Sequence, residues 1–363
     1  MALSVIAGDY LNNFRFSGKA FFAGVDTGAT NTRLGVFEIT GGKLSQAPSY
    51  TARIKTDSEN KYHDLLNKLL IQIPDRDREK IVAVAAGIPG PFDRATGNIT
   101  NSNGKNLKEI NVYETLTFLE SLGIKVFAYL NDLEATTWGL TDNGIGRIEA
   151  DLNPAASSRT STEKFAVLAQ GTGLGQGFAE ISKDGINVLP TEGGHTDLPI
   201  FMDDSKTIQL REYLENERGR TAEAEDVLSG FGILETYLFV SGKAKLPDFL
   251  AGDDAPAAIF RRALEGHSDC QETMRLFVKI YGAQARNFAL ATLADTVFLA
   301  GNAYSQRELL TKDDIFIKAF LERARFKTQI LEKVRVGVVN ADGLGERGGV
   351  NYLRNLFETK LKH

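Results

Sequence analysis

The stretch 165–180, FAVLAQGTGLGQGFAE, runs from a continuous apolar segment into four glycines spaced two apart and out into a second apolar segment. That pattern reads as strand, tight turn, strand. The turn at Gly171, Thr172 and Gly173 presents backbone N–H groups with no side chain in front of them, plus one hydroxyl. It can cradle a phosphate, and it can equally be an ordinary glycine-rich hairpin. A second stretch of the same kind, 21–38 (FFAGVDTGATNTRLGVFE), lies about 140 residues upstream. Its turn contains Gly28, Thr30 and Asn31 and carries a carboxylate, Asp26. Two such units in one chain suggest two similar half-molecules, with one hairpin for each end of a nucleotide phosphate chain.

The length, 363 residues, predicts two domains, and 42% hydrophobic with 25% charged residues is ordinary for a soluble globular protein. Net charge is -5, and no cluster of Lys and Arg of the kind that follows a nucleic acid backbone occurs, so no nucleic acid partner is expected. The single cysteine, Cys270, can form neither an internal disulfide nor a cysteine-rich zinc site, which suits a reducing, cytoplasmic setting. No apolar run is long enough to span a membrane, and the first 16 residues lack the pattern of an export signal. Residues 1–19 are too few for a helix-turn-helix module ahead of the first hairpin, which argues against a DNA-binding regulator.

Along the chain, the patterns predict a strand at 49–54, an amphipathic helix over 62–73, and a buried strand at 80–87 that the prolines after Ile88 terminate. A polar turnover through Asp93, Gly97 and residues 100–104 follows, then a helix over 110–122 and a buried strand at 125–130. Asn131 and Asp132 stand at the carboxyl end of that strand and open a helix containing Trp138. Ligands of open α/β sheets collect at such strand ends, but Asn and Asp are also favoured helix caps, and position alone leaves both readings open. Residues 141–164 read as a polar surface excursion or linker. Glu192, Gly193, Gly194 and His195 place a carboxylate and an imidazole within four positions, with glycines that let the backbone come close to a ligand. A metal pair and a plain loop histidine are the competing readings, and no HExxH spacing supports the metal.

A charged helix is expected over 204–218, an acidic segment with a glycine turn over 223–232, and a long central helix over 271–293. A short buried strand at 296–300 ends at Gly301, a further strand spans 334–339, and a glycine-rich turn at 343–349 precedes a closing helix. Neither a Walker A pattern nor a G-x-G-x-x-G fingerprint is present. Paired phosphate hairpins, a strand-end aspartate and an Asn, Glu and His set are the equipment of phosphoryl transfer to a hydroxyl, which depends on positioning, charge stabilisation and a base.

The ordered series VDTGATNTR (25–33), GIPGP (87–91), LNDLEA (130–135), GTGLG (171–175), EGGH (192–195), VLSGFG (227–232) and FLAGN (298–302) resembles the bacterial-type glucokinases of the actin, sugar kinase and Hsp70 superfamily. The resemblance runs from about residue 21 to 356. It implies an α/β, two-domain actin-like ATPase (ribonuclease H-like) fold with mixed sheets flanked by helices. The division it suggests is a small domain of 1–130 plus 345–363 and a large one of 131–344, with hinge closure near Asn131 and Gly343. The implied activity is ATP- and magnesium-dependent phosphorylation of the glucose 6-hydroxyl, as in glycolysis, by a cytoplasmic homodimer. A kinase for fructose, mannose or an amino sugar, and a non-catalytic sugar-sensing relative, are the alternatives.

By the same resemblance Asp132 is the general base, while Asn131, Glu192, His195 and Glu225 bind sugar hydroxyls. Asp26 holds magnesium through water, and Gly28, Thr30, Asn31, Gly171, Thr172 and Gly173 hold the ATP phosphates. Ser229, Gly230 and Gly301 neighbour the adenosine. The zinc-dependent branch of these kinases has a cysteine cluster near the histidine, which Cys270 alone cannot supply, so His195 is a sugar ligand in this scheme. The chain departs from the family pattern at Ala29 and at Asn302, each of which stands where glycine is usual.

Overall fold

The computed structural model describes residues 3–6, 18–100, 106–183, 185–250, 252, 254–322 and 324–361. The polar turn expected over 101–104 lies outside them, as does most of the segment before the first hairpin. By contact the chain forms two compact units: 1–143 with 181–190 and 341–363, and 144–180 with 191–340.

The first unit is built on a seven-stranded mixed sheet. Its order is Leu3–Ile6, Val126–Leu130, Ile81–Gly87, Lys19–Thr27, Asn31–Thr40 and Lys43–Leu44, with Tyr50–Lys55 also pairing with Asn31–Thr40. Lys19–Thr27 and Asn31–Thr40 form the expected hairpin, with Asp26 directly opposite Arg33. Lys19–Thr27, Ile81–Gly87 and Val126–Leu130 run parallel, so Asp26, Gly87 and Leu130 lie level at one end of the sheet. Ile81–Gly87, with parallel neighbours on both sides, is buried over most of its length, as a strand covered on both faces should be, and Val126–Leu130 is buried throughout. One face is covered by Tyr62–Leu70, whose Tyr62, Leu65, Leu66, Leu69 and Leu70 recur at helical spacing and are all buried. A small three-stranded sheet of Phe92–Asp93, Asn98–Thr100 and Glu109–Asn111 follows. Because Ile110 belongs to that sheet, the next helix begins at Val112, capped by the Asn111 side chain, two residues later than its apolar pattern predicts.

The glycine-rich segment 343–349 corrects the sequence reading. Only Gly343, at φ +73°, is a turn residue; from Leu344 the segment is the opening of a helix, Leu344–Leu361, and Gly345, Gly348 and Gly349 are contact points. A Cβ on Gly348 would stand 1.6 Å from the carbonyl oxygen of Ala135, and one on Gly345 would stand 2.7 Å from Asp26 Cγ. The partner surfaces are equally bare: a Cβ on Gly139 would meet the Leu344 carbonyl at 2.3 Å, and one on Gly24 the Glu346 carbonyl at 1.8 Å. Backbone approaches backbone here, so glycine is kept inside a helix despite its poor propensity.

The second unit carries the strands Ile148–Asp151, Arg335–Val339, Thr296–Gly301, Lys164–Gln170 and Leu174–Ser182, in that order, of a six-stranded sheet. Lys164–Gln170 and Leu174–Ser182 are the second expected hairpin, and Lys164–Gln170 pairs in parallel with Thr296–Gly301. The segment 141–164 is more than the polar excursion its composition suggests, since Ile148–Asp151 extends the sheet by pairing antiparallel with Arg335–Val339. The helix Ser268–Thr292 is the centre of this unit. Phe277, Ile280 and Tyr281 are fully buried among Leu168, Leu299, Phe316 and Phe320. Among the described residues no helix is long and apolar enough to cross a membrane.

Candidate active site

In the first unit the hairpin turn is closed by Gly28 N–H donating to the Asn31 carbonyl at 3.0 Å. The Thr56 side chain donates to the Gly28 carbonyl at 2.5 Å, and Thr56 N–H to the Thr30 carbonyl at 3.0 Å. Ala29 and Thr30 are exposed at the tip, so the Cβ that replaces the usual glycine meets solvent. Asp26 is held from across the hairpin: Arg33 Nη2 donates to its Oδ2 at 2.9 Å. Arg33 Nε also lies 3.7 Å from Glu346 Oε1, on the first turn of the closing helix. Burial works against the Arg33 charge, but the Asp26 and Glu346 carboxylates outweigh it and raise its pKa. Burial, then the nearby Asp26 charge, raises the pKa of Glu346, whose Oε2 has no hydrogen-bond partner. The sequence motifs assign no role to Arg33, which closes the motif at 25–33, or to Glu346. Arg33 could have been found by counting across the hairpin, Glu346 only from the packing.

Asn131 and Asp132 follow Val126–Leu130, which Ile81–Gly87 separates from the Asp26 strand. Asn131 is the N-cap of the helix Asp132–Gly139, and its Oδ1 accepts from Leu133 N–H at 3.0 Å. Asp132 Oδ1 accepts from the same N–H at 2.9 Å. The cap reading is therefore correct for Asn131, which keeps its amide donors for other partners. A Cβ on Gly87 would fall 3.6 Å from the Asp132 Cα and 2.8 Å from the Ala135 Cβ, so glycine there lets the helix start settle on the strand ends. Asp132 and Asp26 thus stand at the same carboxyl edge of the parallel strands Val126–Leu130 and Lys19–Thr27, with Ile81–Gly87 between them, the position where open α/β sheets bind ligands.

In the second unit the turn 171–173 is the hub. Gly171 N–H donates to the Gly173 carbonyl at 2.8 Å, and the Gly171 carbonyl accepts from Gly230 N–H at 2.9 Å. Glu225 Oε2 accepts from Leu174 N–H at 2.6 Å and packs where a Cβ on Gly173 would be, 2.5 Å away. A Cβ on Gly171 would meet nothing within 4 Å, so that side of the turn is open. Gly301, at φ +70°, lies beside Gln170 in the parallel register, and a Cβ there would stand 2.2 Å from the Gln170 carbonyl. Asn302 N–H donates to that carbonyl at 2.7 Å. Gly171, Thr172, Gly173, Glu225, Gly230 and Gly301 are thereby gathered around one hairpin. Ser229 is nearby but engaged: buried, it caps the helix Gly230–Ser241 by accepting from Gly232 N–H at 2.9 Å.

Glu192 and His195 flank the short turn Gly193–His195, which packs on the same hairpin, since a Cβ on Gly194 would stand 2.2 Å from the Leu174 carbonyl. From the long helix, Gln284 Nε2 donates to the Gly193 carbonyl at 3.1 Å and to Thr196 Oγ1 at 3.0 Å. His195 Nδ1 lies 2.8 Å from Glu223 Oε2 and its Nε2 lies 3.9 Å from Glu192 Oε2. Hydrogen bonding to Glu223, against the opposing effect of burial and aided by the charges of Glu225, Glu223 and Glu192, raises the His195 pKa. Glu223 and Gln284 hold the His195 turn, and neither lies in a recognisable sequence motif.

A strand-end aspartate, paired glycine hairpins and an acid-rich loop with histidine, set on two mixed sheets, define a sugar kinase of the actin-like ATPase fold. A family model for glucokinase matches residues 23–356, and the chain belongs to that family. A glucokinase of Psychromonas ingrahamii is 28% identical over 333 residues, covering 91% of this chain and 95% of that protein. Among solved structures, glucokinase from Balamuthia mandrillaris in complex with glucose aligns with a TM-score of 0.74 at 22% identity, over 95% of this chain and 97% of that one. A ROK family glucokinase from Streptomyces griseus, in complex with glucose and AMPPNP, aligns with a TM-score of 0.56 at 18% identity, over 92% and 97% of the two chains.

Proposed function

We propose that the protein transfers the γ-phosphoryl group of ATP to the 6-hydroxyl of glucose, with Asp132 as general base. The observation that carries this reading is Asp132 on the first turn of a helix, at the same carboxyl edge of the parallel strands as the Asp26 hairpin, with Ile81–Gly87 between the two. The 6-oxygen attacks the γ-phosphorus, the bond to the bridging oxygen of ADP breaks, and the hydroxyl proton passes to the Asp132 carboxylate. Such a transition state is loose, so orientation of the hydroxyl counts for as much as the basicity of the acceptor. The glucose-bound and AMPPNP-bound relatives support the two substrates.

Asn131, Glu192, His195 and Glu225 are the proposed hydroxyl contacts, and the hairpin turns at Gly28, Thr30 and Asn31 and at Gly171, Thr172 and Gly173 the phosphate contacts. Gly230 and Gly301 border the proposed adenosine position, with Ser229 acting through its helix cap. Among the described residues no group of three or more His, Cys, Asp or Glu could hold a metal directly. One carboxylate already bonded to an arginine suits a hydrated ion better than a bare one. Asp26 would hold magnesium through its water shell, where the ion would neutralise charge on the ATP oxygens. A cytoplasmic homodimer completes the proposal.

ADP release from Mg-ATP, measured with and without a panel of hexoses, tests it. Glucose-dependent ADP formation, reduced about 10²- to 10⁴-fold in Asp132→Asn with the fold intact, is the expected result. Strong activity only with another hexose would change the substrate, and ADP formation independent of sugar would overturn the assignment.

A further inference from the structure

We infer that Glu223, which no motif assigns, is a positioning residue for the sugar: it fixes the His195 ring so that the Nε2 edge is presented to a hexose hydroxyl. The inference rests on the proposed hexose kinase reading and adds a residue to it.

The geometry is specific. An ionised carboxylate only accepts, so the 2.8 Å contact assigns the proton of His195 to Nδ1, which donates to Glu223 Oε2. Nε2 is then the edge left for a ligand, and the imidazole is half exposed. Glu223 itself cannot drift. It forms a reciprocal capping box with Asp226, whose Oδ2 accepts from Glu223 N–H at 2.8 Å. Arg220 grips Asp226 through two hydrogen bonds of 2.8 and 2.9 Å and lies 3.3 Å from Glu223 Oε1.

The two loops are also tied through the backbone. Asp197 and Glu223 form an antiparallel bridge, Ala224 N–H donates to the Thr196 carbonyl at 2.9 Å, and Leu198 N–H to the Ala222 carbonyl at 2.8 Å. Glu225, two residues on, bonds the phosphate hairpin at Leu174 N–H. One short segment therefore orients the histidine and braces the hairpin.

The charges around His195 are Glu192 beside it on its own turn and Glu223 and Glu225 on the facing turn, with Arg220 and Asp226 behind. The uncharged Gln284 meets the same turn from the long helix. Three carboxylates favour the imidazolium, in which Nε2 carries a proton and donates; the neutral ring, with Nδ1 still bonded to Glu223, offers Nε2 as an acceptor. Sugar affinity then changes with pH as the sense of that one hydrogen bond reverses.

Full-length parent, Glu223→Gln and Glu223→Asp proteins, each checked by thermal melting, are compared in two ways. The first is NMR titration of the labelled His195 ring. It is independent of turnover, so it remains informative even if the parent proves to act on something other than a hexose. The second is kcat and KM for glucose and for Mg-ATP across pH 5.5 to 9. Loss of a charged hydrogen bond that acts through another residue is expected to raise the glucose KM about tenfold in Glu223→Gln.

The KM for Mg-ATP should stay within about twofold, the His195 midpoint should fall, and the pH midpoint of glucose affinity should fall with it. Glu223→Asp, which keeps charge and cap, should recover part of both midpoints. Equal losses toward glucose and ATP, or an unmoved His195 midpoint in a folded Glu223→Gln protein, would overturn the inference. A parent protein inactive with every hexose would overturn the kinase reading instead.

Discussion

At the scale of single residues, the positions that carry chemistry are also the positions with least freedom. Gly301 combines a left-handed φ of +70° with a Cβ direction that ends 2.2 Å from the Gln170 carbonyl. That carbonyl is already fixed by Asn302 N–H, so it cannot swing aside without breaking a bond. Gly301→Ala should therefore destabilise the protein by about 2–4 kcal/mol through strain and overpacking together, read from the urea midpoint. If Gly301 borders the adenosine as proposed, the KM for ATP should rise while that for glucose changes less. The residue scale is also where sequence reading stopped short. Asp132, Glu192 and His195 stand out because their motifs combine rare residue types at fixed spacing. Arg33, Glu223 and Gln284 do not, since a partner 7, 28 or 88 to 91 positions away becomes a partner only when two elements are brought together.

At the scale of elements, apolar periodicity made the strands of both hairpins and the buried strands Ile81–Gly87 and Val126–Leu130 legible, because burial on both faces leaves an unbroken apolar run. It failed at the closing helix, where three glycines in the first six residues look like a turn. Their reason lies in another element: Gly348 abuts the Ala135 carbonyl and Gly345 abuts Asp26. Gly348→Ala gains helix propensity, about 1 kcal/mol on an exposed surface, yet here the added methyl would overlap a backbone oxygen. The expected outcome is a net loss of about 3 kcal/mol or more, with Gly18→Ala unsuitable as a control because of its positive φ and Gly171→Ala, facing open space, the better one for stability. A Gly348→Ala protein as stable as the parent would show that the two helices can separate without cost.

At the scale of the whole molecule, two ionisable groups contribute to stability in opposite senses as pH changes. Asp204 joins two helices of the second unit, accepting from Arg275 Nη1 at 2.8 Å and Lys279 Nζ at 2.9 Å. Burial alone would raise its pKa, but the two cations hold it at about 2 against an ordinary 3.8. A carboxylate depressed in the folded state contributes stability that is complete above pH 3.8 and lost as pH falls toward 2. That contribution is about 2 kcal/mol, so Asp204→Asn should lower stability at neutral pH by about that amount and flatten the acid limb of a Tm against pH curve. His195 behaves in the reverse sense. Its folded pKa is raised above 6.5, so its contribution is complete below 6.5 and fades as pH rises through the folded value. Glu223→Gln should remove that alkaline slope and leave the acid limb untouched. Melting curves of the parent and both variants from pH 2 to 9 separate the two effects. Independent sites give additive shifts at every pH, whereas a variant that moved both limbs would mean that the sugar loop and the Asp204 cluster are energetically coupled through the helix Ser268–Thr292, which contacts both through Gln284, Arg275 and Lys279.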